Sequence, residues 1–172
     1  MVYYEAIWGL PGSGKTSHAK SQIEIPKTIV LGNGTRFREF FEFQWGGIGR
    51  HKKDYDSIGL EHRDTNYKRI LEDISRLDKP QAIIESWSGF FYQSCFRSFH
   101  EINEKIDKIY DSFERNNNLE KVFMICDSFA IFMPFKMHKK VALWNKRAFA
   151  KADKVVEMKC GIPIVIKGPN QI

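Results

Sequence analysis

The chain has 172 residues, with 27 Lys and Arg against 21 Asp and Glu and a formal net charge of +6. That length suits one domain spanning 1–172 with a full core, and the 14 Phe supply ample apolar material for it. No apolar run approaches the roughly 20 residues of a membrane span, and the three cysteines, Cys95, Cys126 and Cys160, have neither metal-ligand nor disulfide spacing.

The N-terminus enters the first predicted strand at once, so no signal peptide is expected, and a reducing cytoplasm is the expected setting. The positive balance suits anionic ligands, nucleotides among them, and permits weak nucleic-acid binding. Its densest group is Lys136, His138, Lys139, Lys140, Lys146, Arg147, Lys151 and Lys154. That group reads equally as a solvated helix face or as a patch turned toward phosphate.

Residues 3–8 are apolar enough for a buried strand. Directly after them, Gly9-Leu10-Pro11-Gly12-Ser13-Gly14-Lys15-Thr16 matches G-x-x-x-x-G-K-T, the phosphate-binding loop of nucleoside-triphosphate enzymes. The glycines let the backbone turn where a Cβ would forbid it and let its N–H groups close on phosphate oxygens. Lys15 supplies charge for the β- and γ-phosphates, and the Thr16 hydroxyl suits Mg²⁺, which takes oxygen ligands. A helix from about residue 15 to 23, beginning with Lys15, Thr16 and Ser17, would aim its N-terminus at the same anion. Strand, glycine loop and helix in this order are the context the motif requires.

A second strand is expected over 28–31, ended by Gly32-Asn33-Gly34. Residues 36–45 are charged and aromatic and fit a short helix or a lid. Gly46-Gly47-Ile48-Gly49 reads as a flexible joint, and the basic run 50–54 follows it. Helical spacing of Tyr67, Ile70, Leu71 and Ile74 predicts a helix over 66–77, stopped at Lys79-Pro80. A strand over 81–85 ends in Glu85. Residues 99–113 carry Ile102, Ile106, Ile109, Tyr110 and Phe113 on one helical face, and a strand over 121–126 ends at Asp127. The segment 129–137 contains Pro134 and suits neither helix nor strand. A helix over 141–152 precedes two strands, 154–159 and 162–166, joined at Cys160-Gly161 as a C-terminal hairpin. Strands alternating with helices argue for a three-layer α/β fold of the RecA-like P-loop kind with a mainly parallel sheet.

A phosphate-loop enzyme needs an acid at the C-terminal end of a neighbouring strand, to orient Mg²⁺ or to polarise an attacking group. Glu85 and Asp127 stand at such ends, where ligands of parallel sheets gather. The bland alternative is a carboxylate capping the next helix. His18 lies one turn into the first helix and reads as either a site residue or a packing histidine. His51, flanked by Arg50, Lys52 and Lys53, could attack a phosphorus atom and hold a nucleotidyl group; a solvated loop histidine is the simpler reading.

The residues resemble the bifunctional adenosylcobinamide kinase/adenosylcobinamide-phosphate guanylyltransferase family. Gly14-Lys15-Thr16-Ser17-His18-Ala19 looks like the family's loop with its following His-Ala, and Arg50-His51-Lys52 is similar to the segment carrying the guanylylated histidine. Ile83-Ile84-Glu85-Ser86 matches a family strand that ends in an acid. Asn145-Lys146-Arg147, Ala152-Asp153-Lys154-Val155 and Gly161-Ile162-Pro163 follow the family's tail pattern in order. Cys126-Asp127-Ser128-Phe129 keeps only the acid of the family's Asn-Glu-Val-Gly.

The resemblance implies use of ATP or GTP, a small-molecule acceptor and a nucleotidyl-carrying role for His51, while the loop and the strand-end acids add Mg²⁺ and catalytic roles for Lys15, Glu85 and Asp127. The rival class is a small P-loop ATPase motor or assembly protein of the viral packaging or export type. That class usually pairs two acids where Glu85-Ser86 has one. A homo-oligomer is compatible with either class, and a nucleic-acid partner is the less favoured.

Overall fold

A computed structural model describes residues 1–10, 12–33, 55–85, 87, 97–127 and 135–168. The chain begins with β1 (Tyr3–Gly9), α1 (Lys15–Lys20) and, after a 3₁₀ turn at Ile25–Lys27, β2 (Thr28–Asn33). It continues with β3 (Glu61–Thr65), α2 (Ile70–Ser75), β4 (Gln81–Ile84) and α3 (Phe99–Arg115). It closes with β5 (Lys121–Asp127), α4 (Phe135–Lys151), β6 (Lys154–Lys159) and β7 (Ile162–Lys167).

The seven strands form one sheet in the order β3-β2-β4-β5-β1-β6-β7. Every pairing is parallel except β6 with β7, the antiparallel hairpin. This is an α/β fold of RecA-like type with the expected terminal hairpin. Both faces of the sheet are covered, which explains why its central strands read as near-continuous apolar runs. Tyr4, Ala6, Leu31, Ile84, Val122 and Met124 face one core with Ile70 and Ile74 of α2, Ile102, Ile106 and Phe113 of α3, and Trp144 of α4. Ile7, Val30, Ile83, Phe123 and Ile125 face the other core, with Ala19 of α1 and with Tyr55 and Leu60.

Most predicted elements stand, with instructive differences. Strand β3 escaped the sequence reading because Glu-His-Arg-Asp-Thr has no apolar run. It is an edge strand held to β2 by main-chain pairing from Ile29↔Glu61 to Asn33↔Thr65. The 66–77 helix shrinks to α2, because Asn66 turns the chain before it: the Asn66 side-chain oxygen accepts from the Lys68 and Arg69 N–H groups at 3.0 Å each. Helix α1 is likewise shorter than expected and ends at Lys20, with Ser21 as its C-cap. Helix α4 begins earlier than 141 and takes in residues 135–137. Pro134 thus precedes a helix, and a proline breaks only a helix that it lies inside.

Helix α3 starts where predicted because Ser98 and Glu101 form a reciprocal capping box, Glu101 N–H to Ser98 Oγ at 3.2 Å and Ser98 N–H to Glu101 Oε2 at 2.8 Å. At the hairpin turn Cys160 and Gly161 both take positive φ, 49° and 83°, the two-residue turn whose twist suits antiparallel strands. No helix among the described residues is long and apolar enough to cross a membrane.

Helix α3 is fastened to the loop-bearing strand by aromatic packing. Phe113 is fully buried, with its ring 6.2 Å from Tyr4 of β1 and 6.5 Å from Tyr110. Truncating such a ring leaves a cavity on the central strand. Phe113→Ala is expected to lose about 3–5 kcal/mol of stability in chemical denaturation; a loss under about 1 kcal/mol would show that α3 does not brace β1.

Candidate functional site

Strand β1 carries the loop to the middle of the sheet, with β5 on one side and β6 on the other. Gly9 ends the strand, Gly12 and Gly14 take positive φ of 77° and 93°, and Lys15 opens α1. The tightest point is Gly9. A Cβ there would stand 2.6 Å from Ser13 Oγ and 2.8 Å from the Met158 carbonyl oxygen, so only glycine lets the loop fold back against β6.

Lys15 is buried, and its ammonium donates to the carbonyls of Gly9 at 2.9 Å and Leu10 at 2.8 Å. Ser13 Oγ is buried and has no hydrogen-bond partner among the described residues. A buried hydroxyl without a partner carries a desolvation cost that an arriving acceptor relieves. Leu10, Gly12 and Ser17 are exposed, and Thr16 is half-buried beside Lys15. Because α1 has only six residues, the turned loop backbone and Lys15 are the main features offered to an anion, more than a helix dipole.

The hairpin supplies a brace that the sequence reading missed. The Gly161 N–H donates to the Ser13 carbonyl at 3.0 Å, and a Cβ on Gly14 would lie 3.4 Å from the Gly161 Cα. No motif announces this contact. It follows from β6 lying next to β1, with the hairpin turn at the same end of the sheet as the loop.

Of the two predicted acids, Asp127 ends β5 in register with Gly9, so its backbone adjoins the loop. Glu85 follows β4, and β5 lies between β4 and β1. The Glu85 N–H donates to the Leu31 carbonyl at 2.9 Å. Its carboxylate accepts a hydrogen bond from the Tyr55 hydroxyl at 3.1 Å and lies 4.0 Å from His62 Nε2. Tyr55 and His62 were not singled out from the sequence. His62 sits in the polar strand that carried no pattern, and Tyr55 borders the basic run.

His18 joins a different cluster. Glu5 of β1, 1% exposed, lies within ion-pair distance of Lys154 (3.1 Å), Lys121 (3.5 Å) and His18 (3.6 Å). Burial holds the His18 imidazole below its usual range, and the Glu5 carboxylate only partly offsets this. The packing reading of His18 is therefore the better one. Three members of the basic group on α4 are engaged: Arg147 pairs with Asp107, Lys151 with Glu114 at 3.5 Å, and Lys140 donates to the Arg97 carbonyl at 2.6 Å. That favours the helix-face reading. Pro11 and His51 lie outside the described residues.

No cage of three or more His, Cys, Asp or Glu side chains exists among the described residues. Mg²⁺ in phosphate enzymes does not need one, since it is bound through one or two protein oxygens with waters and phosphates completing its shell.

Likeness to solved structures bears on the fold, which is α/β and RecA-like with a mostly parallel sheet. Among solved structures, the chain is similar to a KaiC-like protein from the hyperthermophilic archaeon Pyrococcus horikoshii OT3, with TM-score 0.50 and 15% identity over 98% of this chain and 80% of that one. It is also similar to the P4 protein of bacteriophage phi6, solved with ADP, with TM-score 0.46 and 11% identity; the match covers 94% of this chain and 52%, about half, of that one. No family model and no curated protein matches the sequence.

If the Gly9 contact sets the loop, a single methyl group will disturb it. Gly9→Ala is expected to weaken binding of a Mg-triphosphate at least about tenfold, or 1.4 kcal/mol, in titration calorimetry, with far-UV circular dichroism unchanged. Equal affinity would show that the loop tolerates a wider path past β6.

Proposed function

We propose that this chain binds ATP or GTP with Mg²⁺ in the Gly9–Thr16 loop and transfers a phosphoryl or nucleotidyl group to a small-molecule acceptor. The observation that carries the reading is Lys15: a buried ammonium on two loop carbonyls, at the root of a tightly turned backbone beside a Ser13 hydroxyl that has no partner among the described residues. Moving Lys15 from neutral carbonyls to a phosphate replaces neutral acceptors with a charged one, a hydrogen bond roughly twice as strong. The P-loop fold supports the same class.

Thr16 and Glu85 supply oxygen donors of the kind Mg²⁺ takes, and the ion, if held there, would neutralise charge on the β- and γ-phosphates. The chain's own residues do the rest. Loop N–H groups and Lys15 orient the triphosphate. Glu85, held by Tyr55, orients Mg²⁺ or polarises the attacking hydroxyl. Asp127, beside Gly9 in register, is the second acid of the site. The resemblance to the adenosylcobinamide kinase/guanylyltransferase family supports a kinase and, through His51, a nucleotidyl carrier. The scattered cysteines support a reducing cytoplasm as the setting.

Three measurements test this. Lys15→Ala is expected to lose nucleotide affinity or turnover; wild-type values for both would refute the loop's role. Glu85→Gln is expected to keep its melting temperature and lose at least about tenfold in turnover, roughly 1.4 kcal/mol of barrier. A large fall in melting temperature with normal turnover would make Glu85 a structural residue. Incubation with α-labelled and γ-labelled GTP and ATP, followed by a denaturing gel, separates the two transfers. Nucleotidyl transfer through His51 predicts an acid-labile α-label that His51→Ala abolishes, whereas turnover without any protein-bound α-label leaves phosphoryl transfer alone.

A further inference from the structure

Glu85 stands just past the end of β4, with its side chain 17% exposed. A carboxylate at a strand end can take several rotamers, and the role proposed for it needs one of them held. The Tyr55 hydroxyl donates to Glu85 Oε1 at 3.1 Å. Tyr55 is fully buried, and a buried tyrosine spends its one polar tip on a chosen partner. The ring cannot follow a swinging carboxylate, so it fixes where the carboxylate rests.

Two more residues fix the ring. The His62 imidazole of β3 stacks on it, with centroids 6.0 Å apart and planes at 22°. Lys20, the last residue of α1, sets its ammonium 4.4 Å from the ring centroid, a cation–π contact. His62 lies 4.0 Å from Glu85, too far for a hydrogen bond, so it acts on the acid through the tyrosine. Its side chain is only 2% exposed, and β2 makes room for it at Gly32. A Cβ on Gly32 would stand 2.8 Å from His62 Cε1 and closer still to Nε2. Gly32 takes no positive φ. Space for the imidazole, and not backbone conformation, is therefore what requires a glycine inside this strand.

We propose that Tyr55 is the positioning residue for Glu85, seated for that task by His62 over Gly32 and by Lys20. The inference rests on Glu85 acting in the proposed reaction. It adds a link between the acid and the phosphate loop. Lys15 opens α1 and Lys20 ends it, while β5 separates the strand of Glu85 from the strand of the loop. Through Tyr55, the far end of the loop helix and the strand-end acid are set against each other by side chains as well as by the sheet.

The test measures phosphate release from Mg-ATP and Mg-GTP, affinity for both, and chemical denaturation. It compares wild type, Tyr55→Phe, Glu85→Ala, the double variant and Gly32→Ala. Tyr55→Phe keeps the ring and loses only the hydroxyl. It is expected to hold nucleotide affinity within about twofold and to lower kcat about tenfold, as a small misplacement of a reacting group does. In the Glu85→Ala background the same change is expected to leave kcat unaltered, because nothing remains to be positioned. Gly32→Ala crowds the imidazole and is expected to lower kcat in the same direction with affinity kept. Folded Tyr55→Phe with wild-type kcat beside an impaired Glu85→Ala overturns the proposal and leaves the role of Glu85 intact. So does an equal fractional loss in both backgrounds, the mark of a merely structural tyrosine. Wild-type turnover in Glu85→Ala instead removes the underlying reading of the acid, and the proposal with it. The denaturation cycle reads the contact without turnover. Groups in contact give non-additive losses, so the double variant is expected to lose less stability than the two single variants together. Additive losses overturn the proposal even where no phosphate is released.

Discussion

The loop depends on how closely Gly9 passes β6. At that point the Ser13 side chain and the Met158 carbonyl both stand within 3 Å of where a Cβ would be, so the chain has one way to turn. Everything downstream inherits that turn. Ser13 is placed with its carbonyl toward Gly161, Gly14 hands over to α1, and Lys15 is left with its ammonium over the carbonyls of Gly9 and Leu10. Burying an ammonium is costly unless its N–H groups are met. The backbone that turns at Gly9 therefore also supplies the oxygens that hold the lysine.

A second buried charge steadies the same strand from below. Glu5 lies four positions before Gly9 on β1 and is paired by Lys121 of β5 and Lys154 of β6, the two strands that flank it. Gln22, just beyond α1, donates to the same carboxylate at 3.2 Å. Such a pairing adds little net stability against an apolar replacement, but removing one partner leaves a charge stranded. The network links β1, its two neighbours and the end of the loop helix at one place. That gives a physical reason for a carboxylate in an otherwise apolar strand, and it accounts for His18 without a catalytic role.

The phosphate loop was legible because its chemistry is local: eight consecutive residues carry the turns, the charge and the hydroxyl, between a strand and a helix. The parallel order was legible in kind from the alternation of apolar runs with helical periods. The hairpin was legible from Cys160-Gly161 between two β-branched stretches. What stayed hidden is non-local. Strand β3 has no apolar pattern, because an edge strand is held by main-chain bonds to β2 and need bury little. The brace from Gly161 to Ser13 joins residues far apart in sequence, and so does the group of Tyr55, His62 and Glu85, drawn from three separate segments. Glu85 is a candidate by its strand-end position alone, whereas its neighbours emerge only once β2, β3 and β4 lie side by side.

The central question is whether the loop takes phosphates as its main ligand contact. Equilibrium binding of ATP, GTP, adenosine and inorganic tripolyphosphate with Mg²⁺ measures this without any acceptor substrate. The account predicts saturable binding of the triphosphates at one site, displacement by tripolyphosphate, and far weaker binding of adenosine. Adenosine binding as tightly as ATP, or no triphosphate binding at all, would contradict it.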